Sequence, residues 1–120
     1  LPDGSGMDEL TTAGENSVGG AGDLRGMHVQ LDAPHLGIDP GIASELKGGD
    51  TTRNLELLSL LLEGRASATL EDTVCLNAGT AWWICGRCPS VHAGIEAARI
   101  ALEAGVLAEW LRRMRHFFEA

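Results

Sequence analysis

The stretch that decides the fold is residues 46–86, which read LKGGDTTRNLELLSLLLEG at 46–64 and, after a polar break, LEDTVCLNAGTAWWICG at 70–86. Asp50 is a favourable helix N-cap, and a glycine placed like Gly64, after the last apolar turn, typically ends a helix. The two apolar runs are therefore predicted to form two long helices. Leucines cover most of the circumference of the first helix, which predicts that it is buried on several sides.

Apolar spacing predicts which sides of the remaining helices face the core. In the second helix, one stripe is predicted to face inward: Val74, Ala78, Trp82 and Cys85. Ser90 is predicted to cap a third helix that Gly105 ends or turns, with Val91, Ile95, Ala98 and Leu102 facing inward and Glu96, Arg99 and Glu103 facing water. A fourth helix, from Val106 to about Glu119, is predicted to bury one side: Leu107, Trp110, Leu111, Met114, Phe117 and Phe118.

The front of the chain is turn-rich and offers only short extended pieces. Residues 27–31 alternate apolar and polar as a half-buried strand does, and Ser17-Val18 is expected to pair with them as a hairpin. Residues 32–38 are predicted to be loop. Asp39-Pro40 is predicted to begin a short helix that ends near Leu46.

These patterns predict an α/β fold: a short β-hairpin or irregular glycine-rich front, followed by a bundle of about four helices. The division is expected between residues 49 and 50, with 1–49 as the turn-rich segment and 50–120 as the helical scaffold. With 120 residues, 44% of them apolar, the chain has the size of one domain and can bury a core.

Charge and cysteine content narrow the function classes. The net charge of −8 argues against nucleic-acid binding, because a phosphate backbone attracts clustered Lys and Arg. An odd count of three cysteines, with no signal peptide in front, argues against a secreted disulfide framework and favours a cytoplasmic protein. The longest uncharged run, 73–86, is too short to span a bilayer, so no membrane is expected as a partner.

Asp8 and Glu9 are adjacent carboxylates in the turn-rich front. Magnesium is usually held by one or two carboxylates together with substrate phosphates and waters. In a regular strand the two side chains would point to opposite faces, so they could share a metal ion only from irregular backbone. The flanking glycines permit such backbone, but a pair of acids in a loop is far more often plain surface charge.

Two other sets of residues have the composition of a metal or redox site. Cys85 and Cys88 have the C-x-x-C spacing, which favours redox chemistry or zinc, but zinc would need two more ligands. Two ordinary cysteines at a helix end are the favoured interpretation. The four histidines are dispersed along the chain, so a histidine metal cluster has little support.

Two further features are predicted to be structural. Glycines before a helix can cradle phosphate with backbone N–H groups, which is one interpretation of Gly48-Gly49-Asp50. A carboxylate at the N-cap, however, occupies the place of the phosphate and repels it, so a turn is favoured. Asn77 and Asn54 are expected to hydrogen-bond neighbouring backbone, as buried amides normally do.

In order and spacing, these segments resemble the C-terminal part of the anthranilate phosphoribosyltransferases. The resemblance is carried by Gly6–Leu10, the hairpin region, Leu46–Asp50 with Asn54, Asp72–Gly79, Ala81–Gly86 and Ser90–Gly105. It covers nearly the whole chain, and its specificity comes from the sequence of motifs rather than from any one of them.

The resemblance implies an enzyme of tryptophan biosynthesis. It would transfer the phosphoribosyl group of phosphoribosyl pyrophosphate to anthranilate and release pyrophosphate with the help of Mg²⁺. The family fold is a small helical domain plus a larger α/β domain, usually as a homodimer, and its metal ligands carry over to Asp8 and Glu9. Trp82, Trp83 and Cys85 are bulkier or more unusual than the family's residues in that helix, which suggests a divergent member or local repacking.

Three features of the family are missing from this chain: a Gly-Thr-Gly-Gly-Asp phosphate loop, a Lys-His-Gly-Asn segment and the N-terminal helical domain. We therefore expect a part of the enzyme, inactive alone, that supplies the magnesium carboxylates and scaffold and needs the N-terminal part as its partner. Two alternatives remain: a non-catalytic helical interaction module, and a related phosphoribosyltransferase or phosphorylase that acts on another acceptor.

Overall fold

The front of the chain folds into a small antiparallel hairpin in the computed structural model, which describes residues 7–120. Strand β1 spans Ser17–Gly19 and β2 spans His28–Gln30, with Val18 opposite Val29. The turn between them contains a single 3-10 turn, Gly22–Leu24. The predicted hairpin is therefore confirmed.

Four helices follow the hairpin: α1 (Thr51–Leu62), α2 (Ala68–Ile84), α3 (Val91–Glu103) and α4 (Val106–Glu119). The first three begin at side-chain caps, because the backbone N–H groups of Arg53, Leu70 and Ala93 donate to Asp50, Ser67 and Ser90. A glycine in the left-handed region follows α1, α2 and α3 as a stop signal: Gly64, Gly86 and Gly105. A hairpin front with about four helices is confirmed.

The segment between hairpin and α1 differs from the prediction. Residues 32–38 are not all loop, because Ala33–Leu36 forms a 3-10 helix. The helix predicted from Asp39-Pro40 is wrong, and only Ala43–Leu46 makes a 3-10 helix. The reason is that the backbone ahead of it is tied to other elements: Gly41 N donates to Thr12 O at 2.8 Å.

The core lies where the hairpin and the following segment pack on α2 and α3. Its buried apolar residues are Leu31, Ala33, Ile38, Cys75, Leu76, Val91, Ile95 and Ala98. The inward stripe predicted for α2 is wrong, because Trp82 and Cys85 are exposed and the buried residues are instead Thr69, Thr73, Cys75, Leu76, Gly79 and Thr80. On α3, Val91, Ile95 and Ala98 are buried as predicted.

Two helices expose apolar faces that were predicted to be buried. In α1 only Leu61 is buried, and Leu55 is 58% exposed. In α4 no residue is buried, and Phe117 and Phe118 are 76% and 75% exposed. The apolar pattern was identified correctly, but residues 7–120 cover these faces only in part.

Helices α2 and α3 cross at two glycines. A Cβ added at Gly79 would lie 2.4 Å from Ile95 N, and one added at Gly94 would lie 2.2 Å from Gly79 O. These neighbours are backbone atoms, which cannot swing aside as a side chain can. The close approach of the two helices therefore requires glycine at both positions.

We predict that Gly79→Ala destabilises the chain by about 1–3 kcal/mol, as overpacking of a tight interior does. In an open helix the same change would stabilise by about 0.5–1 kcal/mol, so the sign itself is informative. Thermal or urea unfolding measures the difference. Gly19→Ala is the control, because nothing lies within 4 Å of its added Cβ; equal stability of the two variants would contradict the crossing.

Candidate functional site

The acidic pair Asp8 and Glu9 lies in a bend just before the ordered front segment, and both residues are exposed. Irregular backbone was the condition for two neighbouring carboxylates to serve one ion, and the bend meets it. Gly6, the first residue of this motif, lies outside the described residues. The assignment of Asp8 and Glu9 as metal ligands stays a prediction.

Asn77 of α2 holds the backbone directly after the acidic pair. Its Oδ1 accepts from Leu10 N at 3.1 Å, and its Nδ2 donates to Leu10 O at 2.7 Å and to Thr73 O at 2.9 Å. The amide thus pairs with both backbone groups of one residue, as a neighbouring strand would. The predicted structural use of Asn77 is confirmed, and its partner proves to be the acidic loop.

Two threonines extend the same contact along α2. Thr73 Oγ1 lies 2.9 Å from Thr12 Oγ1 and 3.4 Å from Thr12 N, and Thr69 Oγ1 accepts from Ile42 N at 3.1 Å. We call one face of α2 the polar stripe: it consists of Thr69, Thr73 and Asn77, which are spaced four residues apart and therefore lie on the same side of the helix. Sequence reasoning missed the threonines, although their spacing within an apolar helix was the signal.

Asn16 closes the front segment from the other side. Its Oδ1 accepts from Thr11 N at 2.8 Å, while Nδ2 donates to Thr11 O at 2.8 Å and to Leu31 O at 2.6 Å. Residues 10 and 11 are therefore held by two asparagines, one on each side. Nothing in the local sequence distinguished Asn16 from other turn residues.

A second acidic pair, Glu71 and Asp72, is bridged by an arginine. Arg99 Nη2 lies 2.7 Å from Asp72 Oδ1, and Nη1 lies 3.2 Å from Glu71 Oε1. The hydrogen bond to Asp72 raises the pKa of Arg99 above its ordinary value. The prediction that Arg99 only faces water is wrong, because it ties α3 to α2 in a half-buried contact.

The donor set determines which kind of metal site is possible. Among residues 7–120, no group of three or more His, Cys, Asp and Glu side chains is placed to hold a metal ion. Two carboxylates do fit a magnesium ion whose other positions are taken by water and substrate phosphates. Asp8 and Glu9 therefore suit a substrate-bridged ion but not a cage made by the protein alone.

The remaining candidates have structural surroundings. Cys75 is buried, Cys88 is half-buried and Cys85 is exposed, and all three are free thiols. At the turn before α1, Gly49 N donates to Asn54 Oδ1 at 2.9 Å. The backbone N–H of Gly49 is therefore not free to bind phosphate. The structural prediction for Asn54 is thereby confirmed.

A shallow groove of about 570 Å³ runs along the outer side of α1. It is lined by Thr52, Arg53, Leu55, Glu56, Ser59, Leu60, Glu63 and Arg65. Neither acidic residue of the bend borders it. Within the described residues, no helix has the length and apolar character needed to cross a membrane.

Comparison with known proteins gives one consistent family. Residues 2–107 match the family described as "Glycosyl transferase family, a/b domain". The chain is 32% identical over 114 residues to the anthranilate phosphoribosyltransferase of Natronomonas pharaonis, which covers 95% of this chain and 34% of that protein. It is also 32% identical over 111 residues to the bifunctional protein TrpGD of Thermotoga maritima, covering 92% of this chain and 19% of that protein.

A solved structure has the same fold. The crystal structure of anthranilate phosphoribosyltransferase (TrpD) from Thermus thermophilus matches with a TM-score of 0.85 and 33% identity, covering 98% of this chain and 34% of that one. The chain thus spans about a third of the length of this enzyme and of the Natronomonas relative. Its hairpin and helices form a portion of a larger α/β domain.

We predict that the three cysteines differ sharply in thiol reactivity. Burial raises the pKa of the Cys75 thiol, which is 1% exposed, so it should react with a disulfide reagent only on unfolding. Cys85 should react first and Cys88 more slowly. Because the pKa is raised in the folded chain, the stability this group contributes is complete below the unfolded-chain pKa of about 8.5 and is lost as pH rises through the folded value.

Mass spectrometry after timed labelling at pH 8 assigns the reacted positions. Cys75→Ser serves as the control, since it should leave the labelling rates of Cys85 and Cys88 unchanged. Fast labelling of Cys75 in the folded chain would contradict its place in the core.

Proposed function

Because the chain belongs to the glycosyl transferase family, in its a/b domain, we propose that it is part of an anthranilate phosphoribosyltransferase. The observation that carries the proposal is the fold match, with a TM-score of 0.85 over 98% of the chain to an enzyme of that name. The parent enzyme would transfer the phosphoribosyl group of phosphoribosyl pyrophosphate to anthranilate in tryptophan biosynthesis.

In this proposal Asp8 and Glu9 hold Mg²⁺ together with the diphosphate of the substrate. The ion supplies positive charge that offsets the charge developing on pyrophosphate as the C–O bond breaks. The two carboxylates are exposed in a bend, so a bound diphosphate can reach them. The backbone N–H groups of Leu10 and Thr11, the two residues that follow the pair, donate hydrogen bonds to the side chains of Asn77 and Asn16. These hydrogen bonds limit how far the bend can move.

The exposed apolar faces favour contact with the rest of the enzyme. Leu55 on α1 and Phe117 and Phe118 on α4 lie on separate helices, and each is more than half exposed. Large exposed apolar patches mark interaction surfaces. We infer that the N-terminal part of the same enzyme covers them, in a cytoplasmic homodimer; the free thiols fit a reducing compartment.

The same faces favour a second candidate function. A non-catalytic helical module would use them to bind another chain and would show no metal dependence at the bend. The two functions differ in what Asp8 and Glu9 do, which is the basis of the following experiment.

We predict that the chain restores activity when it replaces the matching third of the Thermus thermophilus enzyme. In this chimera, Asp8→Asn with Glu9→Gln should lower activity at millimolar Mg²⁺ by about 100-fold or more, since a metal contributes several kcal/mol to such charge stabilisation. Formation of phosphoribosyl anthranilate, followed across Mg²⁺ concentrations, is the measurement.

The matched control is Glu15→Gln with Asp23→Asn, which removes two acids from the same front segment. It should leave the Mg²⁺ dependence unchanged. Full activity of the Asp8→Asn, Glu9→Gln chimera at every Mg²⁺ concentration would refute the metal assignment.

A further prediction concerns the apolar face of α4. If the rest of the enzyme covers it, Phe117→Ser with Phe118→Ser should lower the stability of the chimera by about 2 kcal/mol or more per side chain, but should leave the isolated chain unaffected. Thermal unfolding compares the chimera with the isolated chain, with His116→Ser as control.

The module hypothesis instead predicts that the isolated chain self-associates in sedimentation velocity and that the double variant does not.

A further inference from the structure

We infer that Asn77 is a positioning residue for the acidic pair: its side-chain amide fixes the backbone at Leu10 and thereby the place of Asp8 and Glu9 relative to α2. The inference rests on the proposed function and goes beyond it, because it assigns a role in metal binding to a neutral residue that does not touch the metal. The contact joins residues 67 apart in the sequence.

The geometry of the amide makes this contact specific. Leu10 N donates to Oδ1 and Leu10 O accepts from Nδ2, so rotation of either group breaks the pair. The second Nδ2 proton is donated to Thr73 O, one helical turn earlier, which fixes the plane of the amide. Both amide protons are used, and the side chain has no free donor that would let it turn elsewhere.

The contact lies next to the acidic pair along the chain. Glu9 is bonded directly to Leu10, and consecutive Cα atoms are about 3.8 Å apart. Within the described range, neither carboxylate forms an ion pair with Lys, Arg or His. A displacement of Leu10 is therefore passed on to both carboxylates.

The chain contains a matched control for this contact. Asn54 of α1 makes the same two-way pair with another loop residue, accepting from Gly49 N at 2.9 Å and donating to Gly49 O at 3.3 Å. This loop carries neither Asp8 nor Glu9. Asn77→Ala and Asn54→Ala therefore remove the same pattern of hydrogen bonds from two loops, of which only the first carries the acidic pair; the contact is partly buried at Leu10 and exposed at Gly49.

The experiment compares Asn77→Ala with Asn54→Ala in the chimera with the Thermus thermophilus enzyme. Asn77→Ala should raise the Mg²⁺ concentration for half-maximal activity by about 10-fold or more, the usual effect of losing a residue that orients a metal ligand. At saturating Mg²⁺, kcat should largely recover. Asn54→Ala should leave the Mg²⁺ requirement unchanged.

Two further measurements do not depend on turnover. Hydrogen exchange of the full 120-residue chain should show loss of protection at the backbone N–H of Leu10 in Asn77→Ala only, because the neighbouring Thr11 N is held by Asn16. Electron paramagnetic resonance of Mn²⁺ with pyrophosphate should show the matching loss of affinity in the chimera. Asn77→Asp keeps the shape of the side chain and the acceptor for Leu10 N but loses the donor to Leu10 O. It replaces Asn77→Ala if that variant does not fold, and it should also raise the Mg²⁺ requirement.

Two results would overturn the inference. One is an unchanged Mg²⁺ requirement in Asn77→Ala or Asn77→Asp although exchange at Leu10 N has increased. The other is an equal effect of Asn54→Ala, which would indicate a general loss of stability. The proposed function fails separately, since it requires only that the Asp8→Asn, Glu9→Gln chimera loses its Mg²⁺-dependent activity while Asn77 is intact.

Discussion

The polar stripe of α2 is the constraint on which the front of the molecule depends. Buried backbone N–H and C=O groups need hydrogen-bond partners, and three-residue strands provide few of them. Thr69, Thr73 and Asn77 supply partners at three points of the front segment, so a helix face performs the task of a missing sheet neighbour. The glycine-rich front consequently keeps a defined path without a large apolar core of its own.

Where α2 meets α3, the helix needs the absence of side chains rather than polar side chains. There Gly79 and Gly94 bring two backbones into contact, and large side chains would force them apart. With one side of α2 occupied by polar side chains and another by glycine, its tryptophans lie toward the C-terminal end, where Trp82 is exposed. This explains why size and hydrophobicity alone misidentified the buried stripe.

The sequence predicted helix ends well and burial poorly, for a physical reason. Caps such as Asp50 and Ser90 and stops such as Gly64 act through neighbours a few residues away, so a single sequence contains the whole signal. Burial depends on what lies opposite a face, which is not local. The leucines of α1 predicted burial on several sides, whereas among the described residues only Leu61 of this helix is buried. Asp8 and Glu9 were candidates from their chemistry, but only the resemblance favoured a metal site over plain surface charge.

The two acidic pairs of the chain differ in their neighbours, and this difference suggests why the bend is held by asparagine side chains. Glu71 and Asp72 share Arg99, whose positive charge offsets one of their two negative charges and occupies an oxygen of each carboxylate. An arginine or lysine anchoring the bend would pair with Asp8 and Glu9 in the same way and would compete with a metal ion. Asn16 and Asn77 fix the backbone with neutral groups, which hold residues 10 and 11 without competing with a cation for the carboxylates of the bend. Neutral anchors are therefore compatible with the proposed role of the bend, since they hold its backbone without supplying a competing positive charge.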